Sequence, residues 1–218
     1  EPQYGIDWQR VLHAEQSVTW EHELPVEAEV RSELTVDAII DKGAAKGALL
    51  YWSRHIYDEA DDRLLATLRY VSFLRGDGGK GGSGDAAPVP PYPIPDRAPD
   101  RRASAQTRRE QALLYRLCGD YNPLHSDPRV AHKAGLDRPI LHGLCTYGFA
   151  GRMLQREVCA NDSARVKRID ARFSAPVLPG DTLDLEIWNE GPGRAAYRVT
   201  ARERNVVAIN NGYMEFTG

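Results

Sequence analysis

A stretch rich in glycine and proline interrupts the chain and limits what its two sides can fold into. Residues 76–84 are mostly glycine, and residues 88–95 alternate proline with apolar residues. Glycine weakens helix and strand interiors, and proline removes a backbone donor that both need. We therefore interpret residues 76–106 as a linker between an N-terminal half, residues 1–75, and a C-terminal half, residues 107–218. The glycine run lacks the Lys-Ser/Thr ending of a nucleotide-binding loop and a following helix, so it does not predict a phosphate loop.

Each half contains four runs with the composition and alternation of β-strands. The runs cover residues 11–22, 26–42, 47–58 and 63–74 in the first half, and residues 165–177, 181–190, 194–204 and 206–216 in the second. Residues 58–62 are acidic and short enough to be the turn of a hairpin. The chain is therefore expected to contain two antiparallel repeats, each with four successive strands at similar spacing.

Two short helices are predicted at the start of the second half. Thr107 and Glu110 have the spacing of a capping box, which predicts a helix running to about Leu117. Asp127 followed by Pro128 is a pair typical of a helix start, and Gly135 is expected to end this second helix. Between the two helices lies a segment of turn-forming residues.

A third, longer helix is predicted over residues 143–158, where apolar residues recur at helical spacing. Gly148 and Gly151 are poor helix formers, so helix propensity does not explain their presence there. We expect their small size to let the helix lie close against a sheet. The first half shows no counterpart of this helix. The missing helix either lies upstream of Glu1 or has been lost from the first repeat, and the sequence leaves both alternatives open.

The composition excludes several classes of function. The 218 residues are 42% hydrophobic and carry a net charge of −3, so no basic field indicates nucleic acid or an anionic membrane. No apolar run reaches the length of a membrane span. Three cysteines without paired or zinc-type spacing are typical of reduced thiols in a cytoplasmic protein. Cys118 is expected to serve packing alone.

The turn segment brings three reactive groups into seven residues. Gly119 to His125 contains a carboxylate, Asp120, an amide, Asn122, and the imidazole of His125. Taken alone, most of this segment suits a helix end and an Asx-turn. Neither explains His125, nor the helix start at Gly143, where free backbone N–H groups attract negative charge. The two segments can together supply a base, an acid and an oxyanion donor.

Residues 115–131, Tyr-Arg-Leu-Cys-Gly-Asp-Tyr-Asn-Pro-Leu-His-Ser-Asp-Pro-Arg-Val-Ala, resemble the signature of the hydratase 2 (MaoC-like) family. Segments of the first half, residues 11–16, 41–43 and 73–79, are similar to the family's N-terminal repeat. The family consists of (R)-specific 2-enoyl-CoA hydratases with a hot-dog fold. The resemblance implies an α+β double hot-dog fold, in which the second repeat is catalytic and the first helps to hold the acyl-CoA.

The resemblance also implies roles for individual residues. Asp120 and His125 would activate one water and return its proton, while Asn122 would orient that water or the carboxylate. A backbone N–H at Gly143 would hold the enolate oxygen. His142, beside Gly143, is expected to position the helix start rather than to transfer protons.

Substrate contacts are implied at three further positions, His13, Lys42 and Phe173. Without the family, His13 and Lys42 would be read as surface residues and Phe173 as core. No metal and no cofactor are expected, because the CoA thioester is itself the substrate. The expected partners are acyl-CoA and a second copy of the chain, in a cytoplasmic homodimer without nucleic acid or membrane.

Two other functions remain open at this point. A hot-dog thioesterase or an acyl-carrier-protein dehydratase would use the same fold with a different reaction. A non-catalytic acyl-CoA-binding subunit would be favoured if Asp120 or His125 were missing, and both are present. Hydration of trans-2-enoyl-CoA to (3R)-3-hydroxyacyl-CoA is the favoured interpretation. Acyl chain length is not encoded in any motif, and a bulky, steroid-type chain becomes possible if the first helix is absent.

Overall fold

The computed structural model describes residues 5–7, 10–83 and 91–218. It divides into two compact units. Unit 1 comprises Glu1–Pro91 with Lys167–Asp170, and unit 2 comprises Tyr92–Val166 with Ala171–Gly218. Within the described ranges, none of the helices combines the length and the apolar character needed to cross a membrane.

Unit 1 is built on four antiparallel strands. They are β1 (Val11–Trp20), β2 (Val30–Asp41), β3 (Ala48–Asp58) and β4 (Leu64–Leu74), in the spatial order β2-β3-β4-β1. The predicted β3–β4 hairpin is confirmed, with the turn in the acidic stretch. Residues 26–29 were expected to belong to β2, but the strand begins only at Val30. Among the described residues of unit 1 no α-helix occurs, which agrees with the missing first helix.

The glycine-rich segment is part of unit 1 and not a free linker. The Asp41 carboxylate accepts backbone N–H bonds from Gly43, Gly79 and Gly81 at 2.8, 2.8 and 2.7 Å. These bonds hold the pKa of Asp41 below its ordinary value. A Cβ on Gly78 would lie 2.2 Å from the Gly43 carbonyl oxygen, so only glycine fits there. We call this arrangement the Asp41 clamp.

Unit 2 contains all the α-helices described and the remaining strands, apart from the Lys167–Asp170 part of β6. The helices are α1 (Gln111–Arg116), α2 (Pro128–Lys133) and α3 (Gly143–Val158), and the strands are β5 (Arg101–Gln106), β6 (Val166–Phe173), β7 (Thr182–Asn189), β8 (Arg194–Ala201) and β9 (Val206–Phe216). Their spatial order is β6-β9-β8-β7-β5. The predicted linker extended to residue 106, and this was wrong because residues 101–106 pair antiparallel with β7.

The core of unit 2 lies where α3 packs against the sheet. Leu183, Leu185 and Ile187 of β7 are fully buried, as are Ala150 and Leu154 of α3. The α3 boundaries agree with the prediction at both ends. The reason proposed for Gly148 was wrong, since an added Cβ there would meet no atom within 4 Å.

The first predicted helix is shorter than expected, and its capping box does not form. The helix α1 begins at Gln111, and no side chain caps it. Thr107 instead bonds to the turn before β7, because its Oγ1 donates to the Asp181 carbonyl at 2.9 Å and accepts from the Gly180 N–H at 2.9 Å. Thr107 therefore bonds to the turn before β7 instead of capping α1.

Candidate active site

The turn after α1 holds Asp120 and Asn122 in consecutive Asx-turns. Gly119 has φ +102°. The Asn122 N–H donates to Asp120 Oδ1 at 3.1 Å, and the Leu124 N–H donates to Asn122 Oδ1 at 3.0 Å, which starts a 3₁₀ helix over Pro123–His125. The Asn122 oxygen is therefore committed to the backbone. If Asn122 orients a water, it must do so through its Nδ2 donor.

His125 is held with one nitrogen bonded and the other available. Its Nδ1 lies 2.9 Å from the Ile140 carbonyl oxygen, so Nδ1 carries the proton and donates. The lone pair is then on Nε2. Burial lowers the pKa of His125, while the Ile140 bond and the Asp120 charge oppose this shift. A neutral imidazole with a free Nε2 is the form that a general base requires.

His142 packs face to face on His125, which the sequence did not predict. The ring centroids are 3.8 Å apart and the planes differ by 28°. His142 Nε2 lies 3.3 Å from the Asp120 carbonyl oxygen and 4.0 Å from Asp120 Oδ2. The residue is only 1% exposed, and its buried Nδ1 has no hydrogen-bond partner among the described residues. Burial, together with neighbouring His125, lowers the pKa of His142.

Asp120, His125 and His142 place ligand-type atoms within 4.8 Å of one another, so they could in principle hold a metal ion. The sequence spacing showed no metal pattern. The two imidazoles stack with their planes 28° apart, and each already bonds a backbone carbonyl through one nitrogen. The donor set suits proton transfer better than coordination.

The helix α3 begins beside this cluster with free backbone donors. His142 is the N-cap residue, and its carbonyl accepts from the N–H groups of Cys145 and Thr146. The N–H of Gly143 has no partner among the residues described. A Cβ built on Gly143 would lie 3.5 Å from the Phe173 ring, so Phe173 packs against the helix start. This position is consistent with the predicted ligand contact of Phe173.

Lys42 lines a cavity of about 400 Å³ within unit 1. Arg10, Lys46 and Arg75 are also in its wall, so four cationic side chains face one space. The Arg75 Nε is buried and has no hydrogen-bond partner in the described part of the chain. His13 is not part of this wall. Its Nε2 lies 3.0 Å from the Glu15 carbonyl oxygen, within β1.

The three cysteines are free thiols. Cys118 is exposed, so the expectation that it serves packing was wrong. Cys145 and Cys159 are buried, and burial raises the pKa of Cys145 to about 11. A thiol that keeps its proton is a poor nucleophile.

The architecture of unit 2 defines a hot-dog class of protein, in which an antiparallel sheet packs on one long helix. Models of two families match the chain, the MaoC like domain over residues 92–211 and the MFE-2 hydratase 2 N-terminal domain over residues 2–76. The chain therefore belongs to the MaoC-like hydratase 2 family, in its double hot-dog form. The expected fold class is confirmed.

Several curated proteins are similar over most of the chain. The peroxisomal enoyl-CoA hydratase 2 of Arabidopsis thaliana is 40% identical over 225 residues, covering 100% of this chain and 72% of the plant protein. The 3-hydroxyacyl-thioester dehydratase Y of Mycobacterium tuberculosis is 44% identical, over 86% of this chain and 65% of that protein. This chain covers only 36% of the Drosophila melanogaster peroxisomal multifunctional enzyme type 2, to which it is 38% identical.

A solved structure shows the same fold. The MaoC-like dehydratase from Phytophthora capsici superposes with a TM-score of 0.88 at 38% identity, covering 96% of this chain and 72% of the other.

Proposed function

We propose that the chain hydrates trans-2-enoyl-CoA to (3R)-3-hydroxyacyl-CoA, reversibly. The observation that carries the proposal is the pairing of the Asp120–His125 turn with the uncapped start of α3, in a chain of the hydratase 2 family. The relatives named as enoyl-CoA hydratase 2 from Arabidopsis thaliana and Dictyostelium discoideum are 40% and 37% identical to this chain. They support hydro-lyase chemistry.

The reaction places three demands on the site. Water must lose a proton as its oxygen bonds to C3, the thioester oxygen must bear the enolate charge, and C2 must gain a proton. His125 Nε2 takes the proton from water and returns it to C2, while Asp120 stabilises the imidazolium that forms in between. The N–H of Gly143, assisted by the helix dipole, stabilises the enolate oxygen.

The cationic cavity of unit 1 supports CoA as the carrier. CoA carries a pyrophosphate and a 3′-phosphate, and the wall of Lys42, Lys46, Arg10 and Arg75 complements those charges. An acyl carrier protein would present only one phosphodiester on its pantetheine arm. Lys42 is therefore a proposed substrate-binding residue. His13 remains a proposal without support from the cavity.

A spectrophotometric assay tests the function. The conjugated enoyl thioester absorbs in the ultraviolet, and its absorbance should fall when enzyme is added and should not fall with Asp120→Asn. A thioesterase would instead release free CoA, which a thiol reagent detects. Binding without any absorbance loss would indicate a non-catalytic subunit. Coupling the product to dehydrogenases specific for each enantiomer tests the stereochemistry, and a 3S product would contradict the assignment.

We also propose that the protein is a homodimer and that it lies in the cytoplasm. Size-exclusion chromatography with light scattering measures the oligomeric state directly. Fluorescence microscopy of a tagged full-length protein tests the location, which matters because the plant and fly relatives are named as peroxisomal.

A further inference from the structure

One face of the unit 1 sheet carries an arginine in apolar surroundings. Residues that lie opposite each other in antiparallel strands share a face. The register places Arg54 of β3 opposite Leu34 of β2 and opposite Leu68 of β4, and Leu68 opposite Val18 of β1. We call this surface the Arg54 face. Leu34 is 52% exposed, so the face is open along β2.

The adjacent row of the same face is aromatic and polar. Trp52 and Tyr70 lie opposite each other and stack at 4.0 Å, and Tyr70 lies opposite Gln16. The Arg54 guanidinium is 5.9 Å from the Trp52 ring. Burial raises the pKa of Tyr70, whereas the Arg54 charge and the Gln16 side chain lower it. Arg54 and Gln16 therefore lie close to the Tyr70 hydroxyl.

Two polar atoms on this face are buried without a partner in the described part of the chain. They are Arg54 Nε and Gln16 Oε1, and Gln16 is only 2% exposed. No ion pair joins Arg54 to a carboxylate of any described residue. Its neighbours along β3 on this face, Trp52 and Ile56, offer no negative charge. The buried Nε donor and the unpaired charge of Arg54 are costly, so Arg54 lacks the anionic group that would satisfy it. The Gln16 oxygen is an acceptor and needs a donor instead.

We propose that the Arg54 face binds a hydrocarbon chain bearing a carboxylate. The chain lies along Leu34, Leu68 and Val18, and the carboxylate accepts from Arg54 and from the Tyr70 hydroxyl. This identification rests on the proposed function. The ligand is the acyl group of an enoyl-CoA that carries a carboxylate at the end far from the thioester. The Arg54 face then sets acyl specificity.

Calorimetry with small amphiphiles tests the face independently of catalysis. Dodecanoate and 1-dodecanol share chain length and differ in charge. Wild-type protein should bind dodecanoate about tenfold more tightly, the size expected for one charge-assisted hydrogen bond. Arg54→Met should abolish this preference and Arg54→Lys should keep part of it. Arg69→Met is the matched control, because Arg69 is exposed on the opposite face of β4.

Equal affinity of the wild-type protein for the two amphiphiles would overturn the proposal, and so would an unchanged preference in a folded Arg54→Met variant. If the methionine variant does not fold, Arg54→Gln replaces it, because glutamine also removes the charge and keeps a polar side chain, and its fold is checked before binding is measured.

A turnover assay links the face to the substrate. The ratio of kcat/KM for ω-carboxy-2-dodecenoyl-CoA to that for 2-dodecenoyl-CoA should fall about tenfold in Arg54→Met and stay unchanged in Arg69→Met. If neither thioester is hydrated, the proposed function fails, and calorimetry alone then tests whether the Arg54 face binds a carboxylate. If both are hydrated with a ratio that Arg54→Met leaves unchanged, hydration stands and the acyl-specificity role is refuted.

Discussion

His125 and His142 form one stack, but only His125 has a nitrogen available as a base. His142 donates from Nε2 to the Asp120 carbonyl, and its other nitrogen is enclosed. The reactive spacing of Asp120 and His125 could be predicted from seven consecutive residues. The stack could not, because His142 is 17 positions further along and reaches His125 only after α3 packs.

Replacing either reactive residue should remove catalysis without unfolding the chain. Asp120→Asn and His125→Gln are each expected to lower kcat on the order of 10²–10⁴-fold, the usual contribution of acid–base catalysis. The double variant should be scarcely worse, since the two residues act as one unit. Steady-state kinetics measures the loss, and circular dichroism with acyl-CoA titration checks fold and binding. A single variant with near-normal kcat would refute the assigned role.

The pH dependence of activity follows from the burial of His125. Because the pKa of His125 lies below its ordinary value of 6.5, the imidazole is still mostly neutral, and therefore active, when the pH has fallen to 6.5. We expect kcat/KM to decline only below pH 6.5, through the depressed pKa. An inflection above 6.5 would contradict this. The unfolded chain binds more protons than the folded one in this range, so stability also falls on acidification, and the fold must be checked at each pH.

Among the elements, α3 was predicted correctly at both ends, whereas α1 was predicted with the wrong start and the wrong cap. The α3 helix combines apolar spacing with a glycine at its first position, and both signals are local. The capping box of α1 was also a local signal, but Thr107 bonds to residues more than 70 positions away. Strand β5 was missed for the same reason, since residues 101–106 contain no large apolar residue and find their partner only in β7.

The oxyanion role of α3 can be tested by removing one N–H. Gly143 occupies the first helical position, where proline is well tolerated, and His142 has the extended backbone that precedes proline, φ −57° and ψ 137°. Gly143→Pro should therefore fold and lose on the order of 10²–10³-fold in kcat. Gly143→Ala is the control for bulk, because its Cβ makes only ordinary contact with Phe173. Equal kcat in the two variants would exclude the N–H as donor.

At the scale of the whole molecule, the sequence predicts a division of tasks between the two units, but it does not predict which cations meet in the cavity of unit 1. The second half alone contains the acid–base turn, and the first half has no Asp-x-Asn-x-x-His segment. Lys42 was found by resemblance. The other cavity cations, Arg10, Lys46 and Arg75, belong to separate segments, and nothing in their local sequence indicates that they meet.

This division predicts different kinetic effects for the two units. Lys42→Ala should raise KM several-fold with little change in kcat, because a contact to the CoA phosphates is made equally in ground and transition states. Arg63→Ala, on the β3–β4 turn, serves as a surface control. Titration with a non-hydratable acyl-CoA analogue should give one site per chain. Two equivalent sites, or a pure kcat effect of Lys42→Ala, would contradict the division.

The Asp41 clamp has a practical consequence for protein engineering. A glycine-rich run is a common choice of position for a tag, a protease site or the break point of a split protein. Here an insertion between Gly78 and Gly82 would pull the N–H donors of Gly79 and Gly81 away from the Asp41 carboxylate and leave it only the Gly43 donor among these three. An insertion after Pro91, where the first segment of unit 1 ends, would leave the Asp41 clamp intact.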